Sequence, residues 1–143
     1  MYQSITIIGW LGRDPEMRYM PNGDPVTSMN VATDRQYNDK SGQKVKETTW
    51  FRVSVFGKQA ENVNQYLHKG SMVLVEGRLN VDVKTGGPKT FTRQDGTVGA
   101  SYEIVASTVR FFPKTDGSGP GAGGGEATSA VGDTNSTDDP IPF

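Results

Sequence analysis

The sequence has no cysteine and a single histidine, His68, in 143 residues. The absence of cysteine excludes disulfide bonds, thiolate nucleophiles and thiolate metal sites. His68 has no second histidine with which to share a zinc ion, and the chain contains no Gly-Lys-Ser/Thr loop that could cradle a phosphate. These absences argue against an enzyme, and we expect neither a cofactor nor a metal ion.

The sequence also lacks a long apolar run and an amino-terminal targeting pattern. No stretch approaches the roughly 18 apolar residues of a membrane span. The first residues lead directly into strand-like sequence instead of a basic and apolar leader. We therefore expect no membrane partner and a cytoplasmic location.

Basic residues are missing from the last part of the chain. All 15 Lys and Arg lie at or before Lys114, whereas five of the 16 acidic residues follow it. The part through Lys114 therefore carries a net charge of +4 and the remainder −5. This separation indicates a basic body that meets a polyanion and an acidic tail with a different task.

The most informative stretch is a strand between Glu47 and Gly57 whose two faces differ. One face is an ordinary core stripe made of Phe51, Val53 and Val55. The other face carries two aromatic rings, a guanidinium and a hydroxyl: Trp50, Arg52, Ser54 and Phe56. Exposed rings beside an arginine suit stacking on unpaired bases and contact with phosphates. A second core or a subunit contact would use the same apolar residues.

The remaining pattern predicts an all-β domain with one helix. The helix is expected over Lys58–Gly70, with an apolar stripe of Ala60, Val63 and Leu67 and Gly70 as its carboxyl cap. The other strands are expected over Ser4–Gly12, largely buried, and over Val26–Thr33, Met72–Val83 and Ala100–Phe112. Glycines at positions 9, 12 and 77 mark bends or bulges. Five strands with one helix between the third and fourth predict a Greek-key barrel.

Two long loops carry further basic and aromatic residues. Asp34–Lys46 contains four basic residues and Tyr37, and Lys84–Gly99 contains Phe91 and Arg93. The second and third strands of such a barrel form its usual oligonucleotide- or oligosaccharide-binding face. The aromatic face of the central strand belongs to that surface, so the loops extend it.

The chain after the barrel divides into two further segments. Residues 113–137 form a Gly-rich linker that cannot bury enough apolar surface to order its backbone, so we expect disorder there. The last six residues look like a short linear ligand for a basic, apolar pocket: Asp138, Asp139, Pro140, Ile141, Pro142 and Phe143.

Several separated motifs resemble the bacterial single-stranded DNA-binding protein (SSB) family. They are Asp14-Pro15-Glu16-Met17-Arg18-Tyr19-Met20-Pro21-Asn22-Gly23, Trp50-Phe51-Arg52-Val53, Phe56-Gly57-Lys58, Tyr66-Leu67-His68-Lys69-Gly70-Ser71 and the terminal Asp-Asp-Pro-Ile-Pro-Phe. The resemblance covers residues 1 to about 112 and the last six. It implies an OB-fold that forms a homotetramer and binds single-stranded DNA without strong sequence preference during replication, recombination and repair. It also implies that the cytoplasmic protein is associated with the nucleoid.

The resemblance also implies roles for individual residues. Trp50, Phe56 and Tyr37 occupy stacking positions, although the best-known members carry Trp where Tyr37 stands. A fourth position falls on Lys84 when counted forward from Arg78-Leu79. It falls on Phe91 when counted back from Glu103-Ile104-Val105, with an insertion around Val81–Gly87; stacking chemistry favours the ring.

The resemblance assigns the tail to partner recruitment. Separately from the resemblance, we expect the basic groups near the groove to contact phosphates. These are Arg35, Lys44, Lys46, Arg52, Lys58, Lys84 and Arg93. Phe51 stands where the family often has a histidine near the subunit contact, and Pro140 stands where it usually has a third Asp. The predicted division is therefore a DNA-binding and oligomerisation domain over 1–112, a linker over 113–137 and a partner-binding peptide over 138–143.

Overall fold

A computed structural model describes residues 1–113 of the protein. This part of the chain contains seven strands and one helix. Their bounds are β1 (Ile5–Leu11), β2 (Glu16–Tyr19), β3 (Pro25–Asn38), β4 (Lys44–Phe56), α1 (Lys58–Tyr66), β5 (Met72–Leu79), β6 (Lys89–Thr92) and β7 (Val98–Phe111).

Five of the strands close into a barrel. β1 pairs with β5, β5 with β7, and β4 with β3 in antiparallel register, and β7 pairs with β4 in parallel register. β3 returns to β1 at Trp10 and Leu11, which completes the ring. The short strands β2 and β6 pair only with β3 and β7. The predicted five-stranded Greek-key barrel of the OB type, with one short helix, is confirmed.

The core follows from alternating side chains and from the stripe on α1. In β4, Val53 and Val55 are buried while their neighbours Arg52 and Phe56 are exposed, as the period of two predicts. Ala60, Val63 and Leu67 are likewise buried, so the predicted helical stripe is correct. The buried hydroxyl of Thr27 donates to the carbonyl oxygen of Ala60 at 2.7 Å and ties α1 to β3.

The helix is shorter than its sequence predicts. α1 ends at Tyr66, because Leu67 adopts an extended backbone (φ −100°, ψ 144°) and its side chain is buried in the barrel core. Gly70 therefore does not cap the helix. Its positive φ of 85° serves the following turn, where its N–H donates to the carbonyl oxygen of Leu11 at 2.8 Å.

The predicted loop Asp34–Lys46 is mostly strand. β3 continues to Asn38 and β4 starts at Lys44, so the connection is only the turn 39–43. Within the turn, Asp39 accepts hydrogen bonds from the backbone of Ser41 and Gln43. The sequence looks like a loop because this ribbon extends beyond the apolar core, and most of its residues from position 34 onward are exposed.

The other strand boundaries differ from the predictions in three places. β5 ends at Leu79 instead of Val83, and the predicted loop Lys84–Gly99 contains β6 and the start of β7.

β1 is not largely buried, because it alternates and leaves Ile8 and Trp10 about half exposed. A Cβ at Gly9 would lie 2.2 Å from the Ala32 carbonyl oxygen, so Gly9 permits a close approach of strands. The bulge predicted at Gly77 is confirmed by a register shift between Glu76 and Gly77.

Candidate nucleic-acid interface

An open depression of about 310 Å³ lies against the outer side of β4 and the start of β7. It brings together three of the predicted site residues, Trp50, Arg52 and Phe91. The other residues that line it are Arg13, Asn30, Phe51, Ala100, Ser101 and Tyr102. We call this set the aromatic depression.

The Trp50 side chain is exposed on the outer side of β4. It lies opposite Ala32 in β3, and 53% of its side chain is exposed. Its six-membered ring covers Gly12, because a Cβ at that position would lie 2.5 Å from Trp50 Cζ3 and Cη2. The ring therefore lies along the surface with solvent above it, which is the arrangement that base stacking requires.

Phe91 is placed by the β6–β7 hairpin. Its ring lies over Gly99, where a Cβ would approach Phe91 Cζ to 2.7 Å. The Arg93 guanidinium lies 5.5 Å from the centre of the same ring, at cation–π distance. Of the two candidates for the fourth stacking position, Phe91 lines the aromatic depression and Lys84 does not.

Phe56 and Lys58 lie farther along the same outer surface. Phe56 ends β4 opposite Val26 and is 44% exposed, and Lys58 begins α1 two residues later and is exposed. Trp50 and Phe56 are thus both open to solvent, as the alternation in this strand predicts. Neither Phe56 nor Lys58 lines the aromatic depression.

The β3–β4 ribbon beyond Thr33 and Thr49, which we call the hairpin arm, carries the other predicted basic residues. The Arg35 guanidinium lies 5.2 Å from the centre of the Tyr37 ring. Tyr37 donates its hydroxyl hydrogen to Glu47 at 3.1 Å, and this bond raises the pKa of Tyr37. Lys44 is exposed near the turn.

One cation of the hairpin arm already has a carboxylate partner. Lys46 Nζ lies 3.2 Å from Asp34 Oδ2. The hydrogen bond from Thr48, followed by the one from Lys46, lowers the pKa of Asp34. The turn carboxylates behave similarly, since the hydroxyl of Ser41 lowers the pKa of Asp39 and that of Thr97 lowers the pKa of Asp95. All three carboxylates therefore stay ionised at neutral pH. They reduce the positive charge of the hairpin arm and of the β6–β7 hairpin.

Sequence reasoning missed several residues of the aromatic depression. Tyr102 is 56% exposed and packs its ring 6.0 Å from that of Phe51, although the alternation of β7 places it on the side of Ile104. Tyr102 is the partner of Phe51 in the parallel β4–β7 pairing, and it precedes Ile104, the buried residue of β7 in the core. When the Asn30 amide oxygen is turned toward Arg13, the guanidinium donates to it at 3.2 and 3.3 Å. Phe51 is half-buried and packs against the core, as its inward alternation predicts.

Within residues 1–113, no group of three or more His, Asp or Glu is arranged to hold a metal ion. Across the same range, α1 is the only helix, and no helix is long and apolar enough to cross a membrane. The predicted partner-binding residues 138–143 lie outside the described residues.

Comparison with known proteins identifies the family of this chain. A sequence profile of the Single-strand binding protein family matches residues 2–112. The chain belongs to this family. The match covers the whole barrel, including Trp50, Phe56 and Phe91.

Individual members of the family from several bacteria are similar to the chain. A single-stranded DNA-binding protein of Neisseria meningitidis serogroup A is 40% identical over 108 residues, 76% of this chain and 58% of that protein. One from Wolinella succinogenes is 33% identical over 126 residues, 88% of this chain and 72% of that protein. The chain thus spans less than two thirds of the length of the Neisseria relative.

Solved structures of two family members resemble the barrel. One is a deletion mutant of the single-stranded DNA binding protein from Thermus aquaticus, with a TM-score of 0.61 and 27% identity over 78% of this chain and 51% of that one. The other is a small single-stranded DNA-binding protein from Streptomyces coelicolor, with a TM-score of 0.63 and 25% identity over 77% of this chain and 94% of that one.

Proposed function

We propose that this member of the single-strand binding protein family binds single-stranded DNA without strong sequence preference. The observation that carries the proposal is the aromatic depression, in which exposed Trp50 and Phe91 rings lie beside the Arg52 guanidinium. Each base has a π-face, so rings of this kind stack on any base at about 1–3 kcal/mol each. The names of the relatives support the same ligand.

Phosphate contacts would come from the basic groups around the aromatic depression and along the hairpin arm. Arg52 lies within the depression and Arg93 lies beside Phe91, while Arg35, Lys44 and Lys46 follow the hairpin arm. Exposed Lys58 and Lys84 extend the basic surface. Because bound phosphates release counterions, affinity would fall as salt rises. The part of the chain through Lys114 has a net charge of only +4. Stacking would therefore supply the larger part of the affinity.

Tryptophan fluorescence tests the proposal directly, because the chain contains only Trp10 and Trp50. Titration with poly-dT at low salt is expected to quench the emission, and rising salt is expected to reverse the quenching. Duplex DNA of the same length and a neutral oligosaccharide serve as controls. An equal response to all three ligands would contradict single-strand binding.

We further propose that the chain assembles as a homotetramer. The outer face of β1 and β5 exposes a pair of apolar side chains, since Ile8 lies opposite Leu74. Ile8 is 51% exposed, and Leu74 is half-buried. A second copy that covered this face would remove the apolar surface from water.

A charge placed on this face is expected to break the assembly. Gel filtration of the unaltered protein should give about four times the chain mass of 15.5 kDa, and Ile8→Asp should give a smaller species, because the new carboxylate would lie unpaired in the contact. Val83→Asp is the matched control, since Val83 is 97% exposed in a loop. Equal elution of Ile8→Asp and the unaltered protein would contradict a contact at Ile8.

The barrel, the segment that follows it and the last six residues would have separate tasks. We propose that the barrel over 1–112 binds DNA and forms the oligomer, that residues 113–137 link it to the tip, and that the peptide 138–143 recruits proteins of replication, recombination and repair. The acidic residues 138 and 139 and the apolar residues 141 and 143 are typical of short motifs that bind basic, apolar pockets.

Removal of Asp138–Phe143 is expected to leave the affinity for oligo-dT unchanged or raised, because the acidic tip can compete with the polyanion for basic groups. Fluorescence titration measures the affinity, and a scrambled tip of the same composition is the control for charge alone. A large loss of DNA affinity on truncation would contradict the division of tasks.

A further inference from the structure

Trp10 lies beside the aromatic depression, on the same outer surface of the sheet as Trp50. Trp10 pairs with Ala32 in β3, and Ala32 pairs with Trp50 in β4. Direct partners in antiparallel strands project to the same side, so the two indoles flank the small Ala32 side chain. Two strand spacings separate their backbones by about 10 Å. The Trp50 ring also packs against Gly12, the first residue after β1 and two residues after Trp10.

Trp10 forms one wall of a second groove of about 490 Å³, on the side of β1 that faces the end of α1. Three more rings line this groove, together with one lysine and the only histidine: Tyr66, Phe111, Phe112, Lys69 and His68. Trp10 is 49% exposed and Tyr66 60% exposed, so their faces are open. The Tyr66 and Phe111 rings pack on each other with centroids 6.2 Å apart, which fixes their orientation.

The charge of the second groove suits a phosphate backbone. No carboxylate lines it, and Lys69 forms no ion pair within residues 1–113, where the only two pairs involve Lys46 and Lys89. The backbone N–H of Lys69 donates to Asp14 Oδ1 at 2.8 Å, which anchors the segment that presents the lysine. The groove therefore repeats the chemistry of the aromatic depression, with open rings beside a free cation.

We propose that bound single-stranded DNA continues from Trp50 across Ala32 to Trp10 and into the second groove. Trp10 stacks on one base, Tyr66 provides the next aromatic face, and Lys69 contacts the phosphate between them. This inference rests on the proposed DNA binding and extends its path to the opposite side of β1. Two observations favour DNA over a second protein copy as the occupant: the groove is continuous with the Trp50 surface, and Lys69 forms no ion pair with any residue of the described range 1–113.

The two tryptophans allow each part of the path to be observed separately. Trp50→Phe leaves Trp10 as the only tryptophan and Trp10→Phe leaves Trp50, and each replacement keeps an aromatic face for stacking. The probes are dT oligomers of increasing length. We expect Trp50 to be quenched by short oligomers and Trp10 only by longer ones, because the strand reaches Trp10 after it fills the aromatic depression.

The possible results separate this inference from the proposed function. Quenching of Trp50 without quenching of Trp10 at any length would overturn the extended path and leave single-strand binding intact. Absence of quenching at both residues would overturn the proposed function itself. Two results together would show that Trp10 belongs to a subunit contact and that the inference is wrong: Trp10→Ala dissociates the oligomer on gel filtration, and DNA does not change the emission of Trp10 in Trp50→Phe.

Substitutions in the second groove give an independent measurement. Tyr66→Ala and Lys69→Ala are each expected to lower the affinity for long dT oligomers by about fivefold and to leave short oligomers unaffected. Tyr19→Ala is the matched control, because Tyr19 is 63% exposed on β2 and lines neither groove. Unchanged affinity of both groove variants for long oligomers would overturn the inference.

Discussion

Trp50→Ala is expected to lower the affinity for oligo-dT by about 5- to 150-fold. The range corresponds to the loss of one stacked base, about 1–3 kcal/mol, with each 1.4 kcal/mol equal to a tenfold change in affinity. The Trp50 ring packs against Gly12, and the three atoms nearest to a Cβ at that position all belong to this ring. Since Trp10 remains as a fluorophore in this variant, anisotropy of a labelled oligomer is the cleaner measurement.

Three variants control for this result. Trp50→Phe keeps a ring and should fall between the unaltered protein and Trp50→Ala. Phe56→Ala removes the second exposed ring of β4 and should weaken binding several-fold, whereas Tyr19→Ala on β2 should not change it. Unaltered affinity in both Trp50→Ala and Phe56→Ala would exclude these rings from the binding site.

Gly9→Ala is expected to destabilise the barrel by about 1–3 kcal/mol, as overpacking does in tight cores. The added Cβ would lie 2.2 Å from the Ala32 carbonyl oxygen and 2.7 Å from Val31 Cγ1. The first of these atoms belongs to the backbone and cannot rotate away, so β1 and β3 must separate where they close the barrel. Because Ala32 lies between Trp10 and Trp50, oligo-dT affinity should fall together with stability.

Gly87→Ala is the matched control for this substitution. The same methyl group there would meet nothing closer than Thr85 Oγ1 at 3.5 Å, an ordinary contact, so a change within about 0.5 kcal/mol is expected. Urea denaturation at one fixed protein concentration measures both variants, since assembly makes stability depend on concentration. Equal stability of the two variants would show that β1 and β3 can separate at no cost.

Local patterns predicted the parts of the fold that pack on the core. The alternation in β4 separates buried Val53 and Val55 from exposed Trp50 and Phe56, and the helical spacing places Ala60, Val63 and Leu67 in the core. Both periodicities are direct consequences of backbone geometry. They therefore hold without knowledge of the other strands.

The same reasoning failed where pairing between strands determines the conformation. The hairpin arm resembles a loop, yet it is strand because β3 and β4 pair along its whole length, from Val26–Phe56 to Asn38–Lys44. The short strand β6 forms only because β7 begins at Val98 and offers it a partner. Pairing of this kind depends on register between segments, which composition does not encode locally.

The sequence alone determined the family, the exposed Trp50 and Phe56 of β4, and the separation of the basic body from the acidic tail, since each can be read along the chain without knowing which strands pair. Only the tertiary structure placed Phe91 beside Trp50, opened Tyr102 to solvent and set Trp10 across Ala32 from Trp50. These neighbours come from different strands, and closure of the barrel decides which strands meet.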